Sequence, residues 1–299
     1  MGKASRIKQQ SAREKIAAQR EAARKAERRN RILITGGSTI VVLVIVLAFV
    51  VVKLSQGSPS SSGNSSSTGT ALPASVASQV TGVPAATLNT VGQGAVPAFT
   101  QGKPPFTPGS GPPLTSGGKP EMLYIGAEYC PYCAAMRWPM AVALSRFGTL
   151  TPLHGIHSSS KDVYPSTATL TFYKSGYHSN YLAFTPVETT TVDKTALQNP
   201  TQAQNAVWAR YEPDPNTRGF PFVAFSNKQV MKGPIYDAAV LQGKSWSQIA
   251  AALKDPTSPV AQGVNGAANY ITGAICQMTN NQPANVCNSP AVTAVKSGL

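Results

Sequence analysis

Four residues in the 299-residue chain have types and spacing that can do chemistry, Cys130-Pro131-Tyr132-Cys133. They follow a short apolar, strand-like run, Met122-Leu123-Tyr124-Ile125, and Gly126-Ala127-Glu128-Tyr129, and they precede about four turns of helix-compatible sequence. A cysteine at the first turn of a helix sits among unpaired backbone N–H groups and the positive end of the helix dipole. Both favour thiolate over thiol, and the thiolate is the nucleophile. Pro131 suits that turn, where its missing N–H costs nothing. With two residues between them, Cys133 reaches back to Cys130, so the pair can open and close as a local disulfide. Two other readings of a C-x-x-C stand beside thiol–disulfide exchange: half of a zinc site, or a permanently closed structural disulfide. Zinc needs two more ligands. The other cysteines, Cys276 and Cys287, are far downstream, and His154, His157 and His178 have no zinc-motif spacing, so no metal site and no cofactor are expected.

The stretch AEYCPYC after an apolar strand resembles the active-site turn of the thioredoxin superfamily, and C-P-Y-C resembles the glutaredoxin dipeptide. Downstream, Arg218-Gly219-Phe220-Pro221-Phe222-Val223-Ala224-Phe225 resembles the superfamily's cis-proline loop and following strand. The longer pattern is similar to the membrane-anchored thioredoxin-like proteins of bacteria and archaea catalogued as domain of unknown function 929. GKPEMLYIGAEYCPYCAAMRW, ALSRFG, SSSKDVYPSTATLTFY, RGFPFVAF and the tail with Cys276 and Cys287 carry that similarity. The resemblance implies an α/β fold with a thioredoxin-like sheet flanked by helices. It also implies a cis Pro221 facing Cys130 and Cys133, with Phe220 lending backbone groups to a substrate chain. Two departures matter. Tyr124 stands where thioredoxins carry a buried carboxylate, leaving Glu128 as the candidate proton acceptor. The glycine pair that binds glutathione in glutaredoxins is absent.

The elements that must position this motif follow along the chain. Net charge is +14, and residues 1–31 hold 11 Lys and Arg against Glu14, Glu21 and Glu27, so +8 lies in a basic tail. No aromatics are interleaved there, which argues against single-strand nucleic-acid binding. Residues 32–53 begin with 21 uncharged residues, and roughly 20 helical residues cross the ~30 Å hydrocarbon core. A single transmembrane helix is expected, its basic flank placing the tail in the cytoplasm and the rest outside. Membrane lipid is thus one expected partner. Protein thiols or disulfides and an unidentified redox partner are the others, and nucleic acid is not. Residues 54–70 are a Ser/Gly-rich linker, and residues 71–119 a lead-in segment expected to pack against the domain at 120–299.

Within that domain the helix after the motif presents Cys133, Met136, Met140 and Leu144 as an apolar face, and Pro139 removes one of its backbone bonds. The 88 residues from Cys133 to Pro221 exceed a minimal thioredoxin. They read as an inserted β-hairpin/helix region: strands around Leu170-Phe172 and Tyr181-Phe184 joined by a turn at Lys174-Ser175-Gly176, then a helix with Trp208 and Tyr211 on its buried face. SWSQIAAALKD opens with a Ser cap as a closing helix. A C-terminal helix ends before Asn280-Asn281, and outside the cytoplasm Cys276 and Cys287 are expected to pair as a structural disulfide, with a relay to Cys130–Cys133 as the alternative. The expected function is a membrane-tethered extracytoplasmic thiol–disulfide oxidoreductase, with Cys130 attacking, Cys133 resolving, and Phe220 and Pro221 holding substrate. Its alternatives are a non-catalytic envelope protein on the same scaffold with a permanently closed disulfide, or, were the topology reversed, a cytoplasmic DNA-associated protein.

Overall fold

The computed structural model describes residues 69–299. The basic tail, the apolar run at 32–53 and the linker up to residue 68 lie outside the described residues. Among the described residues no helix is long and apolar enough to cross a membrane.

The chain begins with β1 (Thr70–Ala71), then helices α1 (Ala74–Thr81), α2 (Ala85–Val91) and α3 (Val96–Phe99). Strands β2 (Thr107–Pro108), β3 (Thr115–Ser116) and β4 (Lys119–Gly126) lead into α4 (Pro131–Leu144). Next come β5 (Gly148–Thr151), β6 (His154–His157), β7 (Ala168–Thr171), β8 (Gly176–Ser179), β9 (Ala183–Glu188) and α5 (Gln202–Tyr211). Strands β10 (Phe222–Phe225) and β11 (Gln229–Lys232) precede α6 (Trp246–Ala252), α7 (Pro259–Met278), α8 (Ala284–Cys287) and α9 (Pro290–Val295). The expected α/β class is what the chain adopts.

The central sheet is organised on β4. It pairs in parallel with β9 and antiparallel with β10, which in turn pairs with β11. The last five residues of β4 and all of β10 are buried, as a sheet covered on both faces requires. One face carries Leu123, Ile125, Val187, Phe222 and Ala224 against Val207 and Trp208 of α5. The other carries Met122, Tyr124, Val223 and Phe225 into the main core with α4 and α7.

The expected hairpin between residues 168 and 188 does not form, and this is a correction. The turn is there, with Lys174 at φ 59°, but its flanking strands go elsewhere. β7 pairs with β6, β8 pairs with β5, and β9 joins the central sheet beside β4. Burial decides the pairing: β7 is buried at all four positions, whereas β8 keeps alternate residues exposed. A local turn signal says nothing about which partner a buried strand reaches.

Helix α4 also differs from the single apolar face expected of it. Every one of its residues except Tyr132 is buried, because it lies between the sheet, β7 and α7. Each fully buried Met or Leu there contributes roughly 1.5–3 kcal/mol. A helix enclosed this way must bond its polar atoms internally. Trp138 Nε1 donates to Ala168 O (3.1 Å), and Thr169 Oγ1 donates to Ala134 O (2.7 Å). Pro139 has no N–H for the carbonyl of Ala135, and the buried Tyr236 hydroxyl supplies that bond at 2.8 Å.

The lead-in segment packs on this body. α1 lies on α4 and α6, and α2 lies on α7, where Asn269 Nδ2 donates to the end carbonyls Leu88 O (2.9 Å) and Gly92 O (2.8 Å). The close approach depends on Gly94 at φ 54°, where a Cβ would stand 2.1 Å from Gln262 O.

Candidate functional site

Cys130 is the N-cap of α4, in extended backbone (φ −71°, ψ 122°), and its sulfur accepts a hydrogen bond from Cys133 N at 3.3 Å. That is the position at which a helix start has unpaired N–H groups to offer an anion. The two sulfurs are in the free thiol state; Cys130 is 6% exposed and Cys133 is fully enclosed. The Cys130 thiol is held below its ordinary value, chiefly by hydrogen bonding from the Cys133 side chain. The backbone N–H groups of Cys133 and Tyr132 and the charge of Arg137 act in the same direction, against burial. Cys133 is pushed well above its ordinary value, first by burial, then by its hydrogen bond with Cys130 and by the Cys130 charge; Glu188 adds to this and Arg137 opposes it. The two sulfurs are thus unequal: the one at the helix start is acidified and slightly exposed, and its enclosed neighbour holds its proton more tightly, an asymmetry of the kind stepwise disulfide exchange uses.

Opposite Cys130 lies the Phe220–Pro221 peptide, which is cis. The Cys130 thiol faces Phe220 O at 3.9 Å, and Phe220 packs against Ala127, Cys130 and Cys133. The loop bearing Phe220 is tied to the end of α5. Glu212 Oε2 accepts from Trp208 Nε1 (2.8 Å) and from Gly219 N (3.0 Å), and Arg218 Nε donates to Glu212 O (2.9 Å). Phe220 lies on the Trp208 ring with centroids 5.4 Å apart, and Arg218 lies over the same indole at 5.1 Å. α5 itself starts at a reciprocal cap between Thr201 and Gln204. Trp208, Glu212 and Arg218 were thus not visible as site residues in the sequence; the aromatic and charged residues flanking RGFP were the only signal.

Beneath the C-x-x-C turn is a buried polar nest that leaves little trace in the sequence. Arg137, one turn after Cys133, and Glu188, at the end of β9, are both wholly buried and form a two-pronged ion pair: Nε to Oε1 at 2.8 Å and Nη2 to Oε2 at 2.7 Å. Arg137 Nη2 also donates to Ala127 O (2.8 Å), the carbonyl that accepts from Cys130 N at 3.3 Å. Tyr124, in the position expected to matter, has its hydroxyl 3.5 Å from Glu188 Oε2. A Cβ on Gly126 would stand 2.0 Å from Tyr124 Oη and 3.1 Å from Cys133 Sγ, so the absent side chain is what lets hydroxyl and thiol border the same point. A charge inside an otherwise apolar helix, at i+4 from Cys133 and i+7 from Cys130, was the signal for Arg137. Glu188 had none.

Glu128, the candidate proton acceptor, is buried, but its carboxylate is engaged with Thr171, whose Oγ1 donates to Oε1 at 2.7 Å. Burial holds its carboxyl above the ordinary value, partly offset by that hydrogen bond. Glu188 is the carboxylate whose charge adds to the rise of the Cys133 thiol, behind burial and Cys130.

Cys276 and Cys287 form a disulfide, Cα–Cα 5.5 Å, linking α7 to α8. Arg146, just beyond the C-terminus of α4, donates to Thr272 on α7 and to Ser289, both at 3.2 Å. The disulfide therefore sits at the end of α4 remote from Cys130, and 14 helical residues span about 20 Å. His157 stacks on Trp246 with centroids 4.5 Å apart, while His178 is exposed on β8. Among the described residues no three His, Cys, Asp or Glu side chains group in a way that could hold a metal ion.

The class this defines is a mixed α/β protein with a dithiol at a strand–helix junction, faced by a cis-proline loop. The chain belongs to the family described as domain of unknown function (DUF929), whose model matches residues 107–277. That span runs from β2 to the last turn of α7 and includes both cysteines of the motif, the Arg137–Glu188 pair and the Phe220–Pro221 loop. No curated protein and no solved structure matches the chain.

Proposed function

We propose that the protein is a thiol–disulfide oxidoreductase built on a thioredoxin-like scaffold, with Cys130 as nucleophile and Cys133 as resolving thiol. The observation that carries this is the unequal pair at the start of α4. Cys130 is the acidified, partly accessible sulfur capping the helix, and Cys133 is enclosed behind it within hydrogen-bonding reach. In the forward direction the Cys130 thiolate attacks a substrate disulfide, forming a mixed disulfide and releasing one substrate thiol. Cys133 then attacks Cys130 Sγ and releases the other. The thioredoxin-like reading is supported by the β4–C-x-x-C–α4 junction and by the cis Phe220–Pro221 peptide opposite it. Phe220 and Pro221 would seat the substrate chain beside Cys130.

The apolar run at 32–53, the Ser/Gly linker and the basic tail support a membrane-anchored domain facing outward from the cytoplasm. The disulfide between Cys276 and Cys287 fits an oxidising compartment. The near-complete burial of both motif sulfurs favours one second reading, a binding scaffold whose C-x-x-C stays closed. An insulin-reduction assay decides between them. The wild-type chain should catalyse turnover with dithiothreitol as electron donor, and Cys130→Ser should abolish it. Equal rates for the two proteins would remove Cys130 as the nucleophile.

A further inference from the structure

A buried ion pair is expensive to desolvate and is weak evidence for stability by itself. Its position is what is informative here. Arg137 spends Nε and one edge of its guanidinium on Glu188, and Nη2 also reaches Ala127 O. Nη1 is buried and has no hydrogen-bond partner. Leaving a charged donor unpaired inside a protein carries a large penalty unless something takes the bond up during function. The unpaired nitrogen lies on the side of the guanidinium turned away from the Glu188 clamp. The guanidinium itself borders the dithiol: its Nη2 meets Ala127 O, and Ala127 packs against Cys130 and Cys133 and shares that carbonyl with Cys130 N. Cys130, Cys133 and Arg137 follow one another at i, i+3 and i+7 along α4, so all three project from one face. Glu188 fixes the guanidinium at both Nε and Nη2 and is itself held by Phe172 N (3.3 Å), Gln198 Oε1 on its own N–H (2.8 Å) and the Tyr124 hydroxyl. The cation is rigid, enclosed and partly unsatisfied next to two sulfurs.

We propose that Arg137, clamped by Glu188, is the fixed cation that accommodates the sulfur anion formed within the Cys130–Cys133 pair, with Nη1 the donor left open to it. This deepens the proposed thiol–disulfide exchange and rests on it. In the resolving step the Cys133 S–H bond and the bond between Cys130 Sγ and the substrate sulfur break, and a Cys133–Cys130 bond forms. The electron pair leaves with the substrate sulfur, and the Cys133 proton ends on that departing thiol. The two cysteines are oxidised and the substrate disulfide is reduced. Arg137 and Glu188 change neither charge nor bonding; they lower the energy of the transient Cys133 thiolate, which enclosure would otherwise forbid. The Tyr124 hydroxyl, bordering Glu188 on one side and the space shared with Cys133 on the other, extends the same clamp.

The test compares the full chain carrying Glu188→Gln with Arg137→Met/Glu188→Gln, so that the buried carboxylate is absent from both and the cation from one. Iodoacetamide alkylation of each cysteine is followed against pH, and the dithiol–disulfide equilibrium is measured in glutathione buffers. Losing the cation should slow Cys130 alkylation at pH 7 about tenfold. It should also shift the equilibrium about tenfold toward the disulfide, about 30 mV more reducing. Arg137→Lys in the Glu188→Gln background should recover most of both. Identical alkylation profiles in folded proteins would overturn the proposal. Should the double variant not fold, the guanidinium ¹⁵N signals of Arg137 in the reduced wild-type chain give the answer. They must move with the same midpoint as a cysteine titration, and signals that stay fixed through it would overturn the proposal equally. If the sulfurs respond to Arg137 while the wild type reduces no protein disulfide, the proposed function fails and the electrostatic coupling stands. If the wild type is active and the sulfurs ignore Arg137, only the coupling fails.

Discussion

Tyr236→Phe removes one oxygen from the core and tests how α4, the helix that presents both sulfurs, is held around its proline. The ring would keep its packing, since Tyr236 is fully buried and lies against Gly263 on α7. What disappears is the 2.8 Å hydrogen bond to Ala135 O, the carbonyl that Pro139 cannot serve. A buried acceptor stripped of its donor costs about 1–3 kcal/mol. For a domain of this size, 1 kcal/mol corresponds to roughly 2–4 °C in melting temperature. The expected loss is therefore about 2–12 °C. Pro139→Ala restores an N–H to the helix, so in that background Tyr236→Phe should lose well under half as much. A double-mutant cycle read by urea unfolding and calorimetry measures the difference directly. A single-variant loss below about 0.5 kcal/mol, or strict additivity of the two changes, would refute the account of how this helix tolerates its proline.

Three further outcomes follow from the geometry. Gly126→Ala should lower both stability and thiol reactivity, because its Cβ would stand 2.0 Å from Tyr124 Oη and 3.1 Å from Cys133 Sγ; calorimetry with alkylation kinetics would show it, and a silent variant would contradict the packing described. Replacing both Cys276 and Cys287 by Ser should cost about 3 kcal/mol in the chain-entropy model while leaving the Cys130–Cys133 redox potential unchanged; a shifted potential would revive the relay between the two pairs. Glu128 has its carboxyl raised by burial from the ordinary 4.5, so the folded chain binds more protons than the unfolded one above that pH. Its contribution to stability therefore falls as pH rises from about 4.5 through the folded value. Glu128→Gln should lack this slope and gain on the wild type across that window, with no relative gain expected below it; parallel pH–stability curves would count against the assignment.

Local chemistry was the legible part of the sequence. The strand, turn and helix around Cys130 and Cys133 can be read from a few adjacent residues. The same holds for the Ser245 cap of α6, which forms a reciprocal pair with Gln248, and for the stop of α7, where Asn280 and Asn281 take φ 54° and 58°. The Cys276–Cys287 pairing was expected from the cysteine count and from the compartment that the apolar run and basic tail imply, and the structure has it. Two things were hidden for one physical reason. The destinations of β7, β8 and β9 depend on which distant strand offers a buried edge, and alternation within 20 residues does not encode that. The Arg137–Glu188 pair joins residues 51 apart in sequence, so each looked like an ordinary charged residue until β9 lay beside β4. Glu128 drew attention by being near the motif in sequence. The parallel pairing of Gly126 with Glu188 brings a second carboxylate to the motif from another strand, which nearness in sequence does not reveal.

The measurement closest to the central claim is a redox titration of Cys130–Cys133, with the state of each cysteine read by alkylation and mass spectrometry across glutathione and dithiothreitol buffers. A reversible transition at a potential above about −300 mV, with Cys130 the first sulfur alkylated on the reduced side, is the predicted result. A bond that stays closed well below that potential, or two sulfurs that alkylate at indistinguishable rates, would contradict it.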